Sequence, residues 1–281
     1  MTDISIIDST FDISVTSSYY MSIQANLNGL SFCILDPVTN KYVLFEHKTF
    51  KQPDHHQAQL EEQLITNQYF RHSYKKVLFL YQTNCFALVP IPLFSEEHAK
   101  DILEFNGCHP TADDHLVINK INMCDSANVF AIPRFLYHTV KNQFPDVRFF
   151  HQCTSIIESA LLRKKSQAEN QFLINIQEHS FEIIVAQKHH LKLCNTFLYN
   201  NEKDLIYLIL FTFEQLGLSS ANTYIELSGA ISPTDSRYSL IKRYLKNAVL
   251  APLPLHFLYP ESICSLEVHR FSNLFNLTLC V

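Results

Sequence analysis

The sequence predicts an α/β fold in which one unit, a three-strand antiparallel meander followed by helices, is used twice. Three observations carry this reading. Apolar residues alternate at Met21, Ile23 and Ala25, at Phe32 and Ile34, and at Tyr42 and Leu44. The same rhythm returns at Phe172, Ile174 and Ile176, at Phe181, Ile183 and Val185, and at Leu191 and Leu193. Period two puts such residues on one face of a strand. The breaks also match, 26–29 in the first copy and 177–179 in the second, and the copies start about 150 residues apart, an ordinary domain length.

The intervening elements follow in order. Leu60, Leu64 and Ile65 have helical spacing behind a capping Asp54. Residues 77–81 and 86–89 read as strands closed by Pro90 and Pro92. Ser95, Glu96 and Glu97 open a helix that Gly107 ends. Strands follow at 116–121 and 129–132, then a helix from Pro133 through Phe144, then a buried strand at 147–150. Ser155 and Glu158 have the spacing of a capping box, placing a helix start at Ser155. After the second meander come a helix over 205–216 stopped by Gly217, a strand at 223–227, a helix through Tyr238, Ile241 and Leu245, and a closing helix over 269–277. Two domains are expected, 1–152 and 153–281, with a C-terminal helix over 265–277 returning to the first.

Composition excludes several function classes. Hydrophobic residues make up 47% of the chain, with 22 Phe and 13 Tyr, enough for two cores. Net charge is −5 and no basic run occurs, which argues against nucleic acid as a partner. No stretch is long and apolar enough to insert in a membrane, disorder is not expected beyond the first dozen residues, and these, with Asp3, Asp8 and Asp12, do not read as a leader. The eight cysteines form no C-x-x-C pair and read as buried, reduced thiols of a cytoplasmic protein.

Several stretches carry a family likeness. Residues 151–162 (HQCTSIIESALL) and 172–185 (FLINIQEHSFEIIV) are similar to the middle of the pilus-assembly branch of actin-like proteins. Residues 226–233 (ELSGAISP) resemble the segment that borders the adenosine in that superfamily. The opening 20–36 and the ending 269–276 (HRFSNLFN) resemble an uncharacterised family of Bacteroidetes proteins with the actin-like ATPase fold. The likeness implies a duplicated ribonuclease-H-like fold whose two meander turns face a shared cleft. It implies cleft positions at Asn26, Asn28, Gly29, Gln177, Glu178, His179, Ser228 and Gly229, and Mg·ATP as the ligand of an intact member.

This sequence departs from that pattern where the chemistry lies. The first phosphate loop has Gln24, Asn26 and Asn28 where the superfamily has an acid, and the second has Asn175, Gln177 and Glu178 in place of Asp and Gly. Carboxylates orient Mg²⁺, and glycines admit phosphate oxygens to the backbone. The whole chain has four glycines, Gly29, Gly107, Gly217 and Gly229. The expectation is therefore a non-catalytic cytoplasmic scaffold or interaction module with no cofactor and an unidentified cytoplasmic protein as partner. The alternative is an ATP-binding protein or weak ATPase that uses Mg·ATP. The group Cys108, His109, Asp113, Asp114, His115 and Cys124 matches no zinc spacing and reads as a polar loop. The adjacent pairs His55–His56 and His189–His190 point to opposite sides of their segments. A nuclease on the same core fold would need a carboxylate in its first strand, and 19–25 has none.

Overall fold

The structure, a computed structural model, describes residues 3–26, 29–50, 56–162, 170–188 and 190–281. The chain divides into two compact units. One comprises Met1–Ser155, Pro254–Leu266 and Leu274–Val281, the other Ile156–Leu253 and Glu267–Asn273.

The first unit contains the first meander: β2 (Tyr20–Asn26), β3 (Gly29–Asp36) and β4 (Lys41–Thr49), paired antiparallel. β5 (Lys76–Tyr81) lies parallel to β2, and β9 (Arg148–His151) parallel to β5. β1 (Ile4–Ile7) covers the outer edge of β4, so the sheet order is β1-β4-β3-β2-β5-β9. On one face Met21, Ile23, Phe32 and Ile34 pack with Leu60 and Leu64 of α1 (His56–Thr66) and Leu136 and Val140 of α3 (Arg134–Gln143). Between β5 and β9 the chain adds a three-strand antiparallel sheet, β6 (Phe86–Pro90), β8 (Ser126–Pro133) and β7 (Asp114–Ile121), flanked by α2 (Ala99–Phe105).

The last residues of the chain cover the other face of the first sheet. Leu277 joins Leu78, Leu80 and Phe150, and Tyr42 meets Phe275 edge to face at 5.2 Å. Tyr42 is wholly buried, and its hydroxyl donates to Phe275 O at 2.9 Å with Thr278 Oγ1 also at 2.9 Å. Burial and neighbouring groups raise its pKa well beyond the usual phenol range, so the hydroxyl keeps its proton. Tyr42→Phe is expected to cost about 1–2 kcal/mol, because a buried carbonyl loses its donor. Hydrogen exchange should rise first in 274–281, and an unchanged C-terminal segment would contradict this.

The second unit repeats the plan. β10 (Asn170–Ile176), β11 (Ser180–Gln187) and β12 (His190–Leu198) form an antiparallel meander. β13 (Thr223–Gly229) lies parallel to β10 and β14 (Val249–Leu250) parallel to β13, giving the order β12-β11-β10-β13-β14. This matches β4-β3-β2-β5-β9 strand for strand, in order and direction. The register irregularities match as well. Met21 pairs Ile34 and the ladder slips between Ile34 and Leu35, while Phe172 pairs Val185 and the ladder slips between Val185 and Ala186. A bulge kept at one position in both copies is a feature of the unit, not an accident of either half. The fold is a duplicated actin-like α/β fold. The core of this unit joins Phe172, Ile174, Phe181 and Ile183 to Leu205, Ile209 and Phe213 of α5 (Glu202–Gln215) and Ile241 of α6 (Ser236–Tyr244).

The sequence reading has no strand at the N-terminus, where the structure has β1, flanked by Asp3 to Lys48 at 3.0 Å and Asp8 to Lys41 at 2.8 Å. Three expectations are corrected. α4 (Gln152–Leu162) starts before the supposed capping box, and Ser155 Oγ donates back to Gln152 O at 3.0 Å. The closing helix is broken into a 3₁₀ turn at Val268–Phe271, α8 (Ser272–Asn276) and a second 3₁₀ turn at Leu277–Cys280, preceded by a short α7 (Glu261–Cys264). The cysteines are not all reduced: Cys85 and Cys108 form a disulfide. Of the free thiols Cys33 and Cys153 are buried and Cys264 is exposed. Asp54, His55 and His189 lie outside the described residues.

Candidate functional site

The second unit holds the better-defined of the two loop regions. β10 and β13 run parallel and end side by side, with Asn175 beside Ser228 and Ile176 beside Gly229. A polar row crosses the sheet just before this end: Thr196, Glu182, Asn175 and Ser228 on four neighbouring strands. Asn175 Nδ2 donates to Glu182 Oε2 at 2.7 Å, and Ser228 Oγ donates to Asn175 Oδ1 at 3.1 Å. Glu182 is fully buried and Asn175 nearly so. The amide is needed here because it donates to one neighbour and accepts from the other, which a carboxylate could not do.

Gly229 closes the row. Its φ is +87°, and a Cβ built there would sit 2.2 Å from Ile176 O and 2.8 Å from Asn175 Oδ1. The glycine is required by the crossing of two backbones. Ala230 N then donates to Ile176 O at 2.6 Å.

The turn after β10 is fastened from below. Gln177 N donates to Ser180 O at 2.8 Å, and Tyr199 Oη donates to Gln177 O at 2.6 Å. Arg237, in the first turn of α6, reaches the same carbonyl through Nη1 at 3.3 Å and Tyr199 Oη at 2.8 Å. Its Nη2 donates to Ala230 O at 2.7 Å, and Nε and Nη2 both engage the Asp235 carboxylate. A guanidinium has five N–H bonds, and each of its three nitrogens here meets protein acceptors. The pairing pushes the Arg237 pKa upward and holds the Asp235 carboxyl below the usual range. His269 Nε2 donates to Ile231 O at 2.6 Å, and burial lowers its pKa, which keeps the ring neutral. Glu178 and His179 are exposed at the tip of the turn, 3.9 Å apart.

The first unit uses different residues at the equivalent positions. Asn26 Nδ2 donates to Gln82 Oε1 at 2.7 Å. Gly29 pairs with Asn26, and a Cβ on it would lie 2.4 Å from Lys48 O, so its role too is close strand packing. Gln24, in line with Asn175, is buried, and its neighbour Ser31 bonds His47 Nδ1 at 2.8 Å. The carbonyl of Thr83, beyond β5, accepts from His151 Nε2 at 2.9 Å and Gln152 Nε2 at 2.8 Å. His151 is wholly buried, and desolvation pushes its pKa down to about 3.

Of the expected cleft positions, Asn26 and Gly29 therefore stand together in the first unit, and Gln177, Glu178, His179, Ser228 and Gly229 stand together in the second. Asn28 lies outside the described residues. The Cys108 to Cys124 group is not assembled for a metal: Cys108 is bonded to Cys85, and among the described residues no three His, Cys, Asp or Glu side chains stand close enough to hold an ion. The sequence reading missed Glu182, Tyr199, Asp235 and Arg237. Glu182 carried a signal, being an acid inside the apolar run 181–185, where an unpartnered charge is costly.

Residues 8–248 match DUF3822, a family of proteins of unknown function. The chain belongs to the DUF3822 family. The fold agrees with a solved Bacteroides thetaiotaomicron protein that has the actin-like ATPase fold and unknown function, at a TM-score of 0.78 and 22% identity, covering 86% of this chain and 94% of that one. A second solved neighbour is the PilM–PilN type IV pilus biogenesis complex, at a TM-score of 0.59 and 10% identity over 92% of this chain and 97% of that one. At such identities the likeness concerns the fold alone. No curated protein matches the sequence. No helix of this DUF3822 chain, among the described residues, is long and apolar enough to cross a membrane.

Proposed function

We propose that this DUF3822 chain is a non-catalytic interaction module, an actin-like fold whose nucleotide loops have been rebuilt as protein structure and which binds another protein in the cytoplasm. The observation that carries the reading is Arg237. Its hydrogen bonds to Gln177 O, Ala230 O, Tyr199 and Asp235 join the turn after β10 to the segment after β13. A triphosphate entering between these segments would have to break those bonds. It would also meet Glu178 at the tip of the turn, a like charge, and amides at Gln24, Asn26 and Asn175 where carboxylates would orient Mg²⁺. That a structural neighbour is solved as a two-protein complex supports a protein partner.

The test is thermal unfolding with Mg·ATP. A nucleotide at a hundred times its dissociation constant adds about 2.7 kcal/mol, which raises Tm by several degrees. The expected result is an unchanged Tm at millimolar Mg·ATP and phosphate release at background. A clear rise would replace this reading with the ATP-binding one. Turnover lost on Ser228→Ala would assign an ATPase.

A further inference from the structure

The first unit has a cavity of about 330 Å³ lined by Tyr81, Thr83, Cys85, Cys108, His109 and Asp114, among others. That volume is at the small end of small-molecule sites, and the depression is open to solvent. Cys85 and Cys108, joined by a disulfide, both belong to its lining, and both residues are half-buried. Cys85 directly precedes β6, and Cys108 follows α2 after the left-handed Gly107. Their Cα atoms are 5.3 Å apart, within the span of a disulfide.

The core beneath this bond is thin. Its buried members are Ala87, Ala99, Leu103, Val129 and Ala131, three of them alanines. Alanine buries little apolar area, so α2 is held to its sheet by a small buried core, by the half-buried Phe94, Ile102, Leu116 and Ile118 around it, and by the covalent link. The bond spans a sequence separation of 23 and so restricts the unfolded lobe. The other sulfurs differ in setting: Cys33 and Cys153 are wholly buried, and no other cysteine lines this cavity.

We propose that this cavity is a thiol–disulfide exchange site whose substrates are low-molecular-weight thiols and disulfides. In the closing direction, the thiolate of one cysteine attacks a sulfur of the small disulfide. A mixed disulfide forms and one small thiol leaves. The second cysteine attacks the protein-side sulfur of that mixed disulfide and expels the second small thiol. Two protein thiols are oxidised, one small disulfide is reduced, and the two thiol protons leave on the two small thiols. Opening by a small dithiol is the reverse. Thr83 holds the Cys85 end of the site, its Oγ1 accepting from Cys85 N at 3.1 Å. Burial and the nearby Asp114 push the Tyr81 pKa up to about 12, so its phenol stays an O–H donor at the cavity wall. No lysine or arginine lines the cavity and Asp114 does, which favours neutral or cationic thiols over acidic ones.

The experiment treats the native full chain with dithiothreitol, removes it, and adds bis(2-hydroxyethyl) disulfide. Acid-quenched peptide mapping follows each cysteine, and hydrogen exchange follows α2 and residues 106–114. The expected result is opening by dithiothreitol without unfolding, then a hydroxyethyl adduct on Cys85 or Cys108, then return of the Cys85–Cys108 link, with Cys33 and Cys153 unmodified. Exchange in α2 should rise at least tenfold on reduction and fall again on reoxidation. A Cys85→Ser, Cys108→Ser variant should stay at the fast rate throughout. A link that resists dithiothreitol in the native state, thiols that do not reclose, or equal α2 exchange in both states would each overturn the proposal.

Discussion

Gly229→Ala is expected to destabilise the second unit by about 3–4 kcal/mol. Two independent costs add. At φ +87° an L-residue with a Cβ is strained even in open space. Here the space is not open: the new carbon would overlap Ile176 O at 2.2 Å and crowd Asn175 Oδ1 at 2.8 Å. Neither contact is the end of a flexible chain, since Ile176 O is backbone and Asn175 is held between Glu182 and Ser228. Relief therefore requires β10 and β13 to part, with loss of the Ala230 N to Ile176 O bond. Gly107→Ala and Gly217→Ala isolate the first cost. Their φ values are +78° and +60°, but a Cβ at either meets nothing within 4 Å, so each should cost about 1 kcal/mol. Urea unfolding with hydrogen exchange at β10 and β13 separates the cases. Equal costs at all three glycines would refute the steric argument.

Arg237→Met should cost the second unit about 3 kcal/mol, because removing one member of a desolvated pair leaves the other behind. The Arg237 and Asp235 side chains are only 20% and 19% exposed. The variant strands the Asp235 carboxylate and leaves Gln177 O and Ala230 O short of donors. Arg237→Lys should recover less than half, since one ammonium cannot fork to a carboxylate, a phenol and two carbonyls at once. The pH dependence has a definite sign. Asp235 has a depressed pKa in the folded chain, so its contribution is complete above the ordinary aspartate range and fades as pH falls through the folded value. The gap between wild type and Arg237→Met should thus be widest near neutrality and narrow on acidification below that range. Full recovery by lysine, or a gap that widens in acid, would contradict the stapling role.

The meanders were legible because their signal is local. Alternation in 172–176 and 181–185 states that these are strands and which residues share a face, although the structure buries both faces. β1 was not legible, because four residues are too few to show a period and their pairing partner lies about forty residues away on β4. Arg237 was illegible for the same reason on a larger scale. Its partners Gln177, Tyr199 and Ala230 come together only once β10, β12 and β13 are in place. The capping-box error has a different origin. Ser155 and Glu158 have the right spacing, but the serine hydroxyl already serves Gln152 O inside a helix under way. The disulfide had no motif to announce it, as its halves are separated by a strand, a helix and their loops.

The two copies of the meander also end differently at their outer rims. In the first unit β1 lies along β4 and takes up its outward-facing N–H and C=O groups. In the second, β12 is the last strand of the sheet, and among the described residues no strand runs along its outer side. Nine residues of backbone there present an unfilled template to any extended chain in solution, a neighbour of the same kind included. Lys192 stands on this rim, exposed, with His190 exposed beside its start. A second strand laid alongside would have to strip water from that ammonium, so a single charge guards against edge-to-edge aggregation where the sister copy relies on a covering strand.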